Sequence, residues 1–103
     1  MENWNKGEKM QLENDIEKRL IKKVKELGGL TFKFISPSTK GVPDRIVIFN
    51  GRTHFIELKR PTGTPRTLQL YWISEIKSQG VDALTLSTFE EVDEFVEELR
   101  LGR

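Results

Sequence analysis

Two acidic residues flank a predicted β-hairpin, and their spacing brings them face to face. Asn50-Gly51 separates two runs rich in β-branched and aromatic residues, which is the strongest short-range signal for a two-residue hairpin turn. Counting outward from that turn in register places Asp44 directly opposite Glu57. Two carboxylates in this position repel each other, and a divalent cation would turn that repulsion into a binding site.

A lysine completes the group. Lys59 follows Glu57 by two residues, so strand alternation places both side chains on the same face of the sheet. Two carboxylates and an ammonium at one sheet edge suit metal-assisted hydrolysis of a phosphodiester. The metal would polarise the phosphoryl oxygen and acidify a water, and the lysine would stabilise negative charge or position that water.

The first helix offers a third acid. With about 100° per residue and Ile16 at zero, Glu13 falls at about 60° on the apolar stripe and Glu17 at about 100° on its border. A solvated surface glutamate does not belong on an apolar stripe. We therefore prefer Glu13 as the inward-facing ligand and keep Glu17 as the second choice.

The elements that position these residues follow from periodicity and from turn residues. The pattern predicts the order α-β-β-β-α-β-α, an α/β fold in which helices flank a mixed sheet. A helix between the third and fourth strands implies that those two strands are parallel. The predicted elements are helices over 12–27, 65–79 and 89–99, and strands over 30–35, 45–49, 52–59 and 81–86. Residues 1–9 are expected to fray, Thr64-Pro65 to open the second helix, and Thr88 with Glu91 to form a capping box.

Length, composition and net charge exclude several classes of protein and of binding site. The 103 residues predict a single domain over 1–103. Without cysteine and with a single histidine, the chain has no disulfides, no thiolate metal site and no site built from several imidazoles. A net charge of +1 excludes a strongly basic coat but permits a local basic patch. The absence of an apolar span and of a signal sequence predicts a cytoplasmic protein without a membrane partner.

The motifs together resemble one nuclease family. The stretch Gly41-Val42-Pro43-Asp44-Arg45, followed by Phe55-Ile56-Glu57-Leu58-Lys59 and by Gln69, is similar to the VRR-NUC (virus-type replication-repair nuclease) domain of the PD-(D/E)xK superfamily. The resemblance covers roughly residues 12–86 and is closest to the stand-alone viral or bacterial members. It implies a restriction-endonuclease-like αβββαβ core followed by a C-terminal helix.

The resemblance also implies roles for individual residues. It implies a Mg²⁺ or Mn²⁺ site formed by Asp44, Glu57, the backbone carbonyl of Leu58 and the helix acid Glu13. The catalytic lysine falls on Lys59, and the family's helix glutamine falls on Gln69. It further implies a homodimer that cuts branched DNA such as a Holliday junction, in replication or repair.

The sequence is compatible with several further interpretations. Five basic residues near the site in sequence are candidate DNA contacts: Lys33, Lys40, Arg45, Arg60 and Arg66. The second helix is the expected part of a dimer interface, through Leu68, Tyr71, Trp72 and Ile76. His54 is expected at a strand surface or an interface. The alternatives are a restriction-like nuclease for linear duplexes, a non-catalytic DNA-binding module of the same fold, and an interaction domain unrelated to nucleic acid.

Overall fold

The β-hairpin forms in the predicted register. In the computed structural model, which describes residues 6–60 and 66–103, strands β2 (Arg45–Phe49) and β3 (Arg52–Leu58) pair antiparallel, with Phe49 opposite Arg52 and Arg45 opposite Ile56. Asn50 and Gly51 both have positive φ, 52° and 79°. This is the turn type whose twist matches that of two flanking strands. The turn therefore fixes which residues meet across the hairpin.

The hairpin is the centre of a mixed four-stranded sheet, as the α/β prediction requires. The sheet order is β1-β2-β3-β4, with β1 antiparallel to β2 and β4 parallel to β3. The remaining elements are α1 (Lys6–Leu27), β1 (Leu30–Lys33), α2 (Thr67–Ser78), β4 (Asp82–Leu86) and α3 (Phe89–Leu101). The predicted element order is confirmed. Strand β1 ends two residues before the predicted Ile35, although the Phe34 N–H still donates to the Asp44 carbonyl in the same register.

Helix α1 is longer than the sequence pattern predicts. It begins at Lys6, so residues 6–9, which we expected to fray, are helical. The apolar stripe is as predicted, with Ile16, Leu20 and Val24 at most 1% exposed. Periodicity finds only the part of a helix that packs on a core, which explains why the polar first turns were missed.

The main core lies on one face of the sheet, under α1 and α3. It contains three residues of α1 (Ile16, Leu20, Val24), four from the sheet (Val47, Ile56, Leu58, Leu86) and three of α3 (Val92, Phe95, Leu99). His54 belongs to this face and is 5% exposed, so the expectation of a surface position is wrong. Its Nδ1 lies 2.8 Å from Oδ2 of Asp82, and its ring makes an edge contact with Phe95.

Helix α2 covers the opposite face thinly. It has no buried residue, and Leu68, Leu70 and Tyr71 are 46–52% exposed. The predicted cap at Thr64-Pro65 lies outside the described residues. The helix begins at Thr67, and the N-cap is Arg66, whose backbone N–H donates to the Gln69 side chain.

Helix α3 is capped as predicted, with one difference. Thr88 accepts a hydrogen bond from the Glu91 N–H, but the Glu91 carboxylate accepts from the N–H of Ser87 rather than from that of Thr88. Phe89, the first residue of this helix, is 39% exposed. Its ring lies under the Arg19 guanidinium, 5.1 Å from ring centroid to Cζ. No helix within residues 6–60 and 66–103 is long and apolar enough to cross a membrane.

A charged cluster joins α1 to α3. Arg19 donates two hydrogen bonds to Asp93 at 2.9 and 2.8 Å, and Nζ of Lys23 lies 2.9 Å from the same carboxylate. These two cations hold the pKa of the Asp93 carboxyl well below its usual range. Charge on Asp93 therefore stabilises the docking of the two helices.

We expect Asp93→Asn to lower the melting temperature at pH 7, because it removes the charge that both cations contact. An acid whose pKa is lowered by folding contributes stability above its ordinary pKa and loses it as pH falls through the folded-state value. The difference in melting temperature between variant and wild type should therefore begin to shrink only below about pH 4 and close as the pH falls toward that folded-state value. Thermal melts across this range test the expectation, and identical melts at pH 7 would contradict it.

Candidate active site

The two hairpin acids lie at the end of the sheet where β2 begins and β3 ends. Asp44 directly precedes β2, and its carbonyl accepts a hydrogen bond from the Phe34 N–H at 2.8 Å. The observed ladder runs to Arg45 opposite Ile56, so its continuation places Asp44 opposite Glu57. Asp44 is exposed, whereas Glu57 is 6% exposed. One carboxylate thus faces solvent and the other lies inside the edge of the fold.

The buried carboxylate is bound by two side chains. Gln69 donates from Nε2 to Oε2 of Glu57 at 3.0 Å, and Nζ of Lys59 lies 3.6 Å from the same oxygen. Burial raises the pKa of Glu57 to about 7, with the negative charges of Asp44 and Glu13 acting in the same direction and Lys59 opposing them. The predicted acids and the lysine therefore interact with one another in the folded chain.

Gln69 is held by the start of α2. Its Oε1 accepts the N–H of Arg66, the N-cap residue, so that Nε2 is left to donate to Glu57. The loop before β2 packs against the same turn, because a Cβ added at Gly41 would lie 2.6 Å from Cγ of Leu68. Gly41 also has φ of 90°, a conformation that favours glycine. A larger residue at Gly41 would disturb both the loop and the helix that carries Gln69.

The backbone around the lysine is also fixed. The Lys59 N–H donates to the Leu86 carbonyl at 3.0 Å, which extends the pairing between β3 and β4 by one residue. Successive residues of a strand turn their backbone groups to opposite sides, so the Leu58 carbonyl is directed toward the β2 side. Pro43 stands opposite Leu58 when the register is continued, and proline has no N–H to donate. This carbonyl is therefore in a suitable place for a ligand role.

The two candidate helix acids have different surroundings. Glu17 is engaged through one oxygen, Oε2, which accepts from Nε of Arg45 at 3.0 Å and lies 3.4 Å from Nζ of Lys33. Glu13 lies one helical turn closer to the N-terminus and contributes negative charge to the environment of Glu57. Glu17 is thus occupied by two cations, whereas the negative charge of Glu13 acts on the buried acid.

Four of the five basic candidates are accessible to some degree. Lys33 has a 61% exposed side chain, Lys40 and Arg66 are exposed, and Arg60 is partly buried. Within the described residues, Nε of Arg60 has no hydrogen-bond partner. This nitrogen is itself buried, so only the accessible part of the Arg60 side chain could meet a phosphate oxygen.

Arg45 does not match its predicted role. It is 5% exposed, and its guanidinium donates to Glu17 and, from Nη1, to Oγ1 of Thr31 at 3.0 Å. A phosphate cannot reach it in this conformation. Strand alternation contained the signal that was missed: Arg45 follows Asp44 directly, so it had to point to the opposite face, toward α1.

The donor set fits a hard divalent cation. Carboxylate and carbonyl oxygens are the ligands that Mg²⁺ and Mn²⁺ prefer, and a cation between Asp44 and Glu57 would relieve the repulsion that acts on the buried acid. Within the part of the chain that the structure describes, no three His, Cys, Asp or Glu side chains are already gathered closely enough to hold an ion. Glu57 is bonded to Gln69 and Lys59 instead.

A separate cavity of about 510 Å³ lies at the other end of β3. Its lining includes Arg52, His54, Asp82 and Arg103. None of the predicted site residues lines it. We therefore place the candidate site at the carboxylate end of the hairpin.

Comparisons with known proteins relate the chain to one group. No family model matches it. A protein named "Putative nuclease p44", from Acyrthosiphon pisum secondary endosymbiont phage 1, is 38% identical over 77 residues, or 74% of this chain and 83% of that protein. A solved structure named "VRR_NUC domain" is similar with a TM-score of 0.76 and 28% identity, covering 82% of this chain and 94% of that one.

The raised pKa of Glu57 predicts how the stability of the metal-free protein depends on pH. Between the ordinary value of 4.5 and about 7 the folded state holds more protons than the unfolded state, so the free energy of unfolding falls as the pH rises. We expect wild type to lose about 2–3 kcal/mol relative to Glu57→Gln between pH 4 and pH 8. Denaturant unfolding of both proteins in EDTA measures this difference, and parallel pH profiles would contradict it.

Proposed function

This chain belongs to the VRR-NUC family of nuclease domains, and on that premise we propose that it is a metal-dependent endonuclease that hydrolyses phosphodiester bonds in DNA. The observation that carries the proposal is the buried Glu57, which lies opposite Asp44 and contacts both Lys59 and Gln69. A non-catalytic DNA-binding module of the same fold would have no use for two opposed carboxylates, since they destabilise the hairpin.

Asp44, Glu57, the Leu58 carbonyl and Glu13 would hold a Mg²⁺ or Mn²⁺ ion. Such an ion, when bound, neutralises charge on the scissile phosphate and lowers the pKa of a water. Asp44 is exposed and can turn toward the ion, while Glu57 is held in place by its neighbours. These acids therefore bind the ion at the boundary between the fold and the solvent.

Lys59 and Gln69 are proposed to act on the reacting groups. The Lys59 ammonium lies on the same face as Glu57 with an 18% exposed side chain, so it can reach a phosphate oxygen or orient the attacking water. Gln69 orients the Glu57 carboxylate through its amide N–H, because its own oxygen is fixed by the start of α2. Both residues would thus keep the site ordered while the phosphodiester reacts.

The DNA surface is proposed to surround this site. Lys33, Lys40, Arg60 and Arg66 come from four different segments next to the two acids in sequence, and each retains accessible side-chain surface. In a chain of net charge +1, such a local group gives binding that weakens with salt. Salt-independent binding to a protein partner would instead favour the interaction-domain alternative.

We further propose that the protein acts as a homodimer on branched DNA, in which two symmetric cuts are needed and each chain supplies one. The supporting observation is the thinly covered sheet face. Leu30 and Phe32 of β1 are 62% and 47% exposed, and α2 exposes Leu68 and Tyr71 on the same side. A two-fold axis would cover this apolar surface and provide two sites through one self-complementary interface. Cleavage of linear duplex by a monomer is the alternative.

We expect Asp44→Asn and Glu57→Gln to abolish cleavage in Mg²⁺ and in Mn²⁺ while the protein stays folded. Lys59→Ala should reduce the rate by ~10²–10⁴-fold yet retain metal binding, because an ammonium is not a ligand. Cleavage of four-way, flap and linear DNA, with calorimetry of Mn²⁺ binding, measures both effects. Full activity in EDTA, or in either acid variant, would overturn the site.

The same assay separates the two helix acids. Glu13→Gln should damage cleavage more than Glu17→Gln, because Glu13 faces the site, whereas a glutamine at Glu17 still offers an oxygen to Arg45. Equal and full activity of the two variants would remove α1 from the mechanism.

Sedimentation at micromolar protein, with and without a four-way junction, tests the dimer. We expect a dimer in both conditions and faster cleavage of the junction than of linear duplex. Tyr71→Glu should dissociate the dimer without unfolding the chain, because Tyr71 is 52% exposed. A monomer in both conditions, with equal cleavage of both substrates, would refute the dimer and the branched substrate while leaving the nuclease chemistry intact.

A further inference from the structure

Arg45 is a buried cation that the proposed chemistry does not use. Its side chain is only 6% exposed, and it is the residue that directly follows the candidate ligand Asp44. A buried guanidinium is costly unless its donors are satisfied. Here the donors are satisfied by residues of two other elements, which makes Arg45 a connection between parts of the fold.

The connection joins three elements at the end of the sheet where the site lies. Arg45, the first residue of β2, donates to Glu17 of α1 and to Thr31 of β1, both at 3.0 Å. Lys33, at the end of β1, adds a second cation 3.4 Å from the same Glu17 oxygen. The helix is thereby tied by directional bonds to the strand that follows Asp44.

Glu17 lies one helical turn from Glu13 on the same side of α1. The position of Glu13 relative to Asp44 and Glu57 therefore depends on how this part of α1 is held. Arg19 and Lys23 also tie α1 through Asp93, but they join it to α3 rather than to a strand that bears a candidate ligand. Apolar packing of Ile16 and Leu20 also holds the helix, but the hydrophobic effect is non-directional, whereas the Arg45 hydrogen bonds join specified atoms.

We propose that Glu17 and Arg45 are a positioning pair, which sets the affinity of the site for a divalent cation by holding α1, and with it Glu13, against Asp44 and Glu57. The proposal rests on the proposed metal site. It replaces both earlier expectations for these residues, a metal ligand at Glu17 and a DNA contact at Arg45. Neither residue touches the reacting atoms, and both act through Glu13.

A positioning role and a simple charge effect predict changes of opposite sign in metal affinity when Arg45 is removed. Near a bound cation, removal of the positive Arg45 would raise metal affinity through charge alone, and removal of the negative Glu17 would lower it. A positioning pair predicts that both removals lower affinity, because either one frees the helix. Once the pair is broken, the loss of the second partner has no further effect.

The experiment compares wild type with Glu17→Ala, Arg45→Met and the double variant. Mn²⁺ binding is measured by calorimetry on EDTA-stripped protein at pH 8. Each single variant should weaken binding by ~10-fold or more, and the double variant should be no weaker than the worse single variant. The double variant leaves neither member of the buried ion pair, so it folds even where a single variant does not.

A matched control and a metal-free measurement distinguish a loss of helix positioning from a general loss of stability. Asp93→Asn breaks the tie between α1 and α3 and should leave Mn²⁺ affinity unchanged. Hydrogen exchange of metal-free Arg45→Met should quicken over residues 12–17 and stay unchanged over 20–27. If Asp93→Asn and Arg45→Met both bind Mn²⁺ equally and more weakly than wild type, the effect is a loss of stability. That result would overturn the proposal.

Other outcomes identify which idea has failed. If Arg45→Met binds Mn²⁺ as wild type does, or more tightly, and Glu17→Ala binds it weakly, Glu17 is itself a ligand and the positioning pair is wrong. Additive losses in the double variant would also contradict the pair. If wild type binds no Mn²⁺ at all, the proposed metal site has failed, and the fault lies there rather than with Glu17 and Arg45.

Discussion

The repulsion between two carboxylates, held opposite each other by the register of one hairpin, governs the rest of this structure. Glu57 is buried at the edge of the sheet, and Asp44 stands across from it. Burial raises the pKa of Glu57, and the negative charge of Asp44 raises it further. The apolar side chains of the hairpin nevertheless fix the register, since a slip of one residue would turn the core face to solvent.

The elements around the hairpin make this arrangement tolerable. Helix α2 supplies Gln69, whose amide is oriented by the helix N-cap and donates to Glu57. Strand β4 pairs with the backbone of Lys59 and so keeps its ammonium beside the same carboxylate. Helix α1 acts in the opposite sense, since Glu13 adds negative charge near Glu57, and it is tied to β2 by the Glu17–Arg45 pair. Each of these flanking elements thus contacts the candidate site in addition to packing against the hairpin or its neighbours.

The two faces of the sheet are covered unequally. One face holds the continuous apolar core under α1 and α3, whereas α2 on the other face has no buried residue. A small domain buries only part of its apolar surface, and the uncovered part here lies on the same face as Glu57. The proposed function requires that a partner subunit and the DNA substrate both approach this side of the sheet.

The sequence by itself determined the order of the elements, the hairpin register and the grouping of two acids and a lysine at one sheet edge. These features depend on local signals: the Asn50-Gly51 turn, strand alternation and the apolar stripe of α1. The opposition of Asp44 and Glu57 followed from counting residues along two paired strands, and Lys59 followed from the same alternation. Such arguments succeed because strand and helix geometry fix relative positions over a few residues.

Only the tertiary structure decided which charged groups face solvent and which are paired across elements. Arg45 and His54 looked like surface residues because their types are polar, yet each is buried against a partner distant in sequence, Glu17 and Asp82. Likewise, the difference between Glu13 and Glu17 is one helical turn, and only the docking of α1 on β2 assigns Glu17 to Arg45. Local pattern cannot resolve such choices, because the free energy of a buried charge is set by the partner it finds in the folded chain.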